Sequence, residues 1–136
     1  VAGGKATLHL VAGQWNGVTG PVASLTGVFM STIELQAGAT LRVPDLQARA
    51  VFLYVVRGSL TINGQRVAGF HLAELNAGGD TLELSAEQDS LVVLGHADPI
   101  GEPVVAHGPF VMNTREQIAE AIADYQAGRF GTPPDG

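Results

Sequence analysis

Gly38-Ala-Thr-Leu-Arg-Val-Pro-Asp-Leu-Gln-Ala-Arg-Ala-Val-Phe-Leu-Tyr-Val-Val-Arg-Gly-Ser-Leu-Thr-Ile-Asn-Gly64 is the stretch on which the fold turns. Ala50 to Arg57 is almost continuously apolar, so it reads as a strand covered on both faces, and Ser59 to Ile62 follows at once as another. Asn63-Gly64 then sits between Leu60-Thr-Ile62 and Gln65-Arg-Val67. Asn-Gly is the favoured pair for a two-residue type I′ hairpin, because both central positions need positive φ. Working outward, apolar residues alternate with period two at Ala6 to Val11, Val28 to Leu35, Leu72 to Leu75, Thr81 to Leu84 and Ser90 to Leu94, each bounded by turn formers. Short strands at this spacing predict a sandwich or small barrel.

The last quarter changes period. Thr114 and Gln117 have capping-box spacing, in which Thr114 accepts from the backbone while Gln117 reaches back. Ile118, Ala121, Ile122 and Tyr125 then fall on one face of a helix. Gly128 suits its left-handed terminator, and Phe130 is placed to pack back on the last turn.

Composition narrows the function classes. The 136 residues are 46% hydrophobic and 15% charged, with Gly 18 and Pro 7, which specifies a packed domain rather than a disordered or collagenous chain. So few charges raise the question of whether part of the surface meets a partner. The net charge of −6, with no basic cluster beyond the separated Arg42 and Arg49, argues against direct nucleic-acid binding. Without cysteine there is no disulfide scaffold, thiolate nucleophile or Cys-ligated metal. No apolar run approaches the roughly 18 residues that span a bilayer, so no membrane association is expected. Val1-Ala-Gly-Gly4 is neither a signal peptide nor an initiator Met, which suggests a removed start or a piece of a longer chain.

The quoted stretch resembles the first motif of the cupins, small β-barrels in which a Gly is followed after five residues by His-x-His, a Glu, and another Gly. Gly38, Pro44, Asp45, Leu46, Val51 and Gly58 reproduce that spacing. The ligand positions, however, hold Pro44, Leu46 and Val51, whose side chains have no lone pair for a metal. Gly79-Asp80 supplies the turn of the second cupin motif, but no His stands near Gln88 and Asp89, where one is expected. Further on, His96-Ala-Asp-Pro-Ile-Gly-Glu-Pro-Val-Val-Ala-His-Gly-Pro-Phe-Val-Met-Asn-Thr114, the helix after it and Phe130-Gly131 closely resemble the C-terminal domain of the pirin family. Val11-Ala-Gly13 with Pro21, the Val51 to Val55 strand with Gly58, and Gly78-Gly-Asp80 fit more loosely, so the likeness covers nearly the whole chain.

The resemblance implies an all-β, cupin-type, jelly-roll-like barrel with one C-terminal helix. It implies a parent with two barrels face to face, the N-terminal one carrying iron on three His and one Glu. Some pirins oxidise flavonols such as quercetin with dioxygen, and eukaryotic members are described as nuclear, metal-dependent transcription cofactors. No catalytic or cofactor-binding residue of the family carries over to these positions. The expected organisation is a barrel over residues 1–112, a helix over 113–131 packed on it in the same domain, and a flexible tail at 132–136. The expected role is structural: a metal-free module, not catalytic alone, beside the N-terminal cupin or a second copy. A cytoplasmic location follows, or a nuclear one in a eukaryote.

Other readings compete. A self-contained metal enzyme would use His9, His71 or His107 with Glu34 or Glu74, yet no two imidazoles alternate on one strand; His9, His71, His96 and His107 otherwise read as surface or turn histidines. A metal-free barrel could instead hold one small molecule. Glu83 with Glu87, and Glu116 with Glu120, read as solvated, Glu116 also suiting the helix N-terminus. Phe110-Val-Met112, apolar and placed in a loop, is a candidate interface toward its own barrel or an adjoining one.

Overall fold

The computed structural model describes residues 4–75 and 78–133. In chain order the elements are β1 (Ala6–Ala12), β2 (Gln14–Trp15), β3 (Val18–Thr19), β4 (Phe29–Leu35), β5 (Thr40–Val43), β6 (Ala50–Arg57), β7 (Ser59–Ile62), β8 (Gln65–Ala68), β9 (His71–Leu75), β10 (Leu82–Ala86), β11 (Ser90–Ala97), β12 (Val105–His107), β13 (Phe110–Met112) and α1 (Arg115–Gln126). They fall into two compact units, Val1–Pro99 and Ile100–Gly136.

In the first unit a five-stranded sheet, ordered β1-β4-β11-β6-β9, and a four-stranded sheet, ordered β5-β10-β7-β8, enclose one core. Their pairings are antiparallel. The sheets are cupin-like without closing into one continuous hydrogen-bonded barrel. Period-two alternation sends Ile33, Leu53, Val55, Leu60, Leu82, Leu84, Val92 and Leu94 inward, each at most 1% exposed. Burying each such side chain contributes about 1.5–3 kcal/mol.

Strand β6 departs from the expectation of cover on both faces. Val51, Leu53 and Val55 enter the core, while Phe52, Tyr54 and Val56 remain half-buried. On that outward face Tyr54 lies between Val93 and Leu72 of the neighbouring strands. Gly58 then lets the chain leave one sheet for the other. Its φ is +91°, and a Cβ there would lie 2.6 Å from the carbonyl oxygen of Asp89, so neither the turn nor the close approach tolerates a side chain. Asn63 and Gly64 follow at φ +45° and +83°, the two positive angles the predicted hairpin requires.

In the second unit β12 and β13 pair antiparallel, and α1 packs on them. Phe110 to Met112 is therefore a strand, not the loop its Gly-Pro prefix suggested, because a partner strand at Val105–His107 supplies the ladder. The capping box forms as the spacing predicts: Gln117 N donates to Thr114 Oγ1 at 3.2 Å, and Thr114 N donates to Gln117 Oε1 at 3.1 Å. Ile118 and Ala121 are the buried residues of the helix. Gly128, at φ +72°, turns the chain so that the Phe130 ring meets Tyr125 at 5.7 Å between centroids. Of the expected tail, residues 134–136 lie outside the described residues, as do residues 1–3 at the start.

Candidate functional site

The two segments carrying cupin spacing meet at the barrel mouth. The loop from Pro44 to Arg49 is tightly wound, with Asp45 and Ala48 at φ +61° and +59°, and Arg49 N closes it by donating to Leu46 O at 3.1 Å. Leu46 N donates to Asp80 O at 3.0 Å, which ties the first motif to the Gly79-Asp80 turn of the second. Pro44 is exposed, while Leu46 and Val51 are buried at 4% and 9% exposure. A cavity of about 280 Å³ opens there, walled by Leu46, Val51, Ile62 and Leu82. Gln65, Glu74 and Thr81 stand among its polar lining.

The chemistry of that mouth does not suit a metal centre. Pro44, Leu46 and Val51 offer no side-chain donor atom, and among the described residues no group of three or more His, Cys, Asp or Glu could hold an ion. The candidate ligands lie apart. His9 is on the exposed face of β1, opposite Thr32. His71 is exposed at the start of β9, its Nδ1 2.9 Å from the carbonyl oxygen of Gly69. His107 ends β12 in the second unit. Glu34 faces Thr7 and Leu91 across its neighbouring strands, and Glu74 faces Phe52. At the place of the second-motif His, Asp89 Oδ1 accepts from Ala37 N at 2.9 Å, a local loop bond. Glu83, Glu87, Glu116 and Glu120 are exposed, and the 3.3 Å pairing of Glu87 with Arg66 is a surface contact.

Sequence reading missed the polar cluster beside this mouth. Arg49 also lines the cavity, but its guanidinium turns to other partners. Nε donates to His96 Nδ1 at 2.7 Å, Nη1 meets Asp98 Oδ1 at 2.9 Å, and Nη2 donates to Gly27 O at 2.8 Å and His96 O at 3.3 Å. The His96 ring stacks on Phe29, with centroids 4.4 Å apart and planes 10° from parallel. Burial first, then the Arg49 charge, lowers the His96 pKa to about 4 against an opposing pull from Asp98. The imidazole is thus neutral, with its proton on Nε2. No motif announces this cluster: Arg49 and His96 are 47 residues apart and no local spacing joins them.

The candidate interface residues divide in the structure. Phe110 is half-buried under Tyr125 and Phe130, at 6.5 and 6.2 Å between ring centroids. Val111 and Met112 are exposed at 62% and 36%.

Two jelly-roll-like sheets around an aliphatic core, with a cavity at the mouth, define a cupin-type domain. The chain belongs to the pirin family: the family model of the pirin C-terminal cupin domain matches residues 30–131. A Vibrio cholerae protein provisionally named quercetin 2,3-dioxygenase is 43% identical over 119 residues, covering 85% of this chain and 41% of its own. Human pirin is 31% identical over 130 residues, covering 92% of this chain and 45% of its own. The crystal structure of an Acinetobacter baumannii quercetin 2,3-dioxygenase superimposes with a TM-score of 0.89 at 28% identity, over 95% of this chain and 45% of that one. The chain thus spans less than half the length of the relatives it matches. No helix among the described residues is long and apolar enough to cross a membrane.

Proposed function

We propose that this chain is a metal-free C-terminal cupin module with a structural, partner-binding role beside a metal-bearing cupin, whose family activity is quercetin 2,3-dioxygenase-like. One observation carries the reading: at the positions where cupin spacing has His, His and Glu, this chain has Pro44, Leu46 and Val51, of which Leu46 and Val51 line the mouth cavity and Pro44 is exposed. Aliphatic side chains pack a wall there and hold no ion. Iron belongs, on this reading, to the neighbouring N-terminal cupin. The half-buried outward faces of Phe52, Tyr54 and Val56 support a partner surface, as do exposed Val111 and Met112 on the second unit. The N-terminal cupin or a second copy would cover them.

The test is elemental analysis of the untagged chain, with turnover of quercetin measured in parallel. The expected result is no stoichiometric iron, nickel, copper or zinc and no oxidation of the flavonol by the chain alone. One metal per chain would overturn the reading. It would favour the self-contained enzyme built from His9, His71 or His107 with Glu34 or Glu74, for which nothing among the described residues speaks.

A further inference from the structure

We infer that the groove between β12 and α1 binds a medium-chain aliphatic carboxylate, with the carboxylate at Arg115 and the chain lying along the helix toward Ile122. The groove measures about 410 Å³ and lies wholly within the second unit, so the inference stands whether or not the barrel mouth holds a metal. One wall is the helical stripe Arg115, Ile118, Ala119 and Ile122, spaced i, i+3, i+4 and i+7, and the other is β12. Ile118 is buried at 6% exposure, whereas Val105 and Ile122 are partly exposed and Ala119 is exposed, so the walls present surface that a chain can cover. Ala119, the smallest side chain of the stripe, lies between its two ends and leaves the room. At 1.5 Å of rise per residue, Arg115 and Ile122 stand about 10 Å apart along the axis, roughly the length of an extended eight-carbon chain.

Charge selects the head group. The net charge is −6, yet no Asp or Glu lines this groove, and its ionisable side chains are Arg115 and His107. Arg49, Arg66 and Arg129 are committed to Asp98, Glu87 and Asp124, whereas Arg115 has no ion-pair partner among the described residues. Its guanidinium presents the planar fork of donors that matches a carboxylate. Because Arg115 is exposed, this pairing adds modest affinity and mainly decides which end of the ligand lies there. Most of the affinity comes from the chain, which exchanges water for contact with Val105, Ala119 and Ile122. An amine would set like charge against Arg115, and a four-carbon chain would leave the Ile122 end bare.

The test is a titration of the isotope-labelled 136-residue chain followed by NMR, with octanoate, butyrate and octylamine as probes. Octanoate is expected to give saturable shifts at the methyl groups of Val105, Ile118 and Ile122, with a Kd on the order of 1 mM for so few atoms. Butyrate, four methylenes shorter, is expected to bind about tenfold more weakly, and octylamine about fivefold more weakly. Arg115→Gln should remove the preference for octanoate over octylamine while the helical circular dichroism stays that of the parent. Because Ala119 is exposed, Ala119→Leu fills the groove without overpacking the core, and it should weaken octanoate by about tenfold. Absence of saturable shifts at these methyl groups would overturn the inference. So would octylamine binding as tightly as octanoate to the parent, a preference for octanoate that survives Arg115→Gln, or octanoate binding that Ala119→Leu leaves unchanged in a folded protein.

Discussion

Nε of Arg49 donates to Nδ1 of His96 at 2.7 Å, across 47 residues of chain, and the same guanidinium holds Asp98 and the carbonyl oxygen of Gly27. One side chain thereby joins the entry to β6, the end of β11 and the turn before β4. Because its side chain is only 18% exposed, these bonds are poorly replaced by water.

Arg49→Met keeps the aliphatic stem but leaves the Gly27 carbonyl and His96 Nδ1 without their donor. The expected loss is about 1–3 kcal/mol in urea unfolding. Asp98→Asn should cost less than about 1 kcal/mol, because the Asp98 side chain is 75% exposed and the pair is screened on that side. Equal losses for the two variants would show that the Asp98 pair, not the bonds to His96 and Gly27, carries the cluster.

The His96 pKa of about 4 in the fold lies below its ordinary value of 6.5. Between those values the unfolded chain binds more protons than the folded one, so unfolding free energy falls as pH falls. The stabilisation is fully present above pH 6.5 and is lost progressively as pH drops through 4. Protonation would set a ring N–H against the Arg49 Nε–H, with Asp98 the nearby opposing charge and Phe29 stacked on the ring. The shift bounds the effect at about 3 kcal/mol, and partial solvent access brings the expectation to about 1–2 kcal/mol. Thermal midpoints from pH 7 to 4.5 should decline more steeply for the parent than for His96→Gln; identical slopes would remove His96 as the origin.

Gly58→Ala tests the corner between the two sheets. Positive φ and a Cβ 2.6 Å from a backbone carbonyl act together, and backbone cannot move aside as a side-chain tip can. A loss of at least about 2 kcal/mol is expected. Gly38→Ala, also at positive φ (+78°) but with nothing within 4 Å of its Cβ, should cost only about 1 kcal/mol. Comparing the two by chemical denaturation separates crowding from conformational strain.

Thr114→Ala removes the side-chain half of the capping box and leaves Gln117 N without its acceptor. About 1 kcal/mol should be lost, read as reduced helical circular dichroism and faster amide exchange over Arg115–Gln126. Thr114→Ser should retain most of the cap, and an equal loss would assign the effect to the threonine methyl group.

Much of the fold is legible locally. Alternation places β1, β4, β9 and β10 within one or two residues and the start of β11 at Ser90, though that strand runs three residues past Leu94 to Ala97; Asn63-Gly64 sets its hairpin, and Thr114 with Gln117 set the helix start, because each is decided by neighbours within a few positions. β5, with four residues at a sheet edge, and the two-residue β2 and β3 are too short for periodicity to separate from loop. β13 carries no local strand signature, because its ladder depends on β12, which no local signal announces.

The sequence by itself determined the cupin-type framework, the pirin resemblance, and the chemistry of the mouth positions: Pro44, Leu46 and Val51 lack donor atoms whatever surrounds them. Only the tertiary structure decided that the Pro44 loop and the Gly79-Asp80 turn meet around a cavity, that β6 leaves its outer face half-covered, and that Arg49 closes on His96. Those outcomes depend on which strands lie side by side. A neutral, buried His96 in particular is set by desolvation and a charge from remote chain, which no spacing along the sequence encodes.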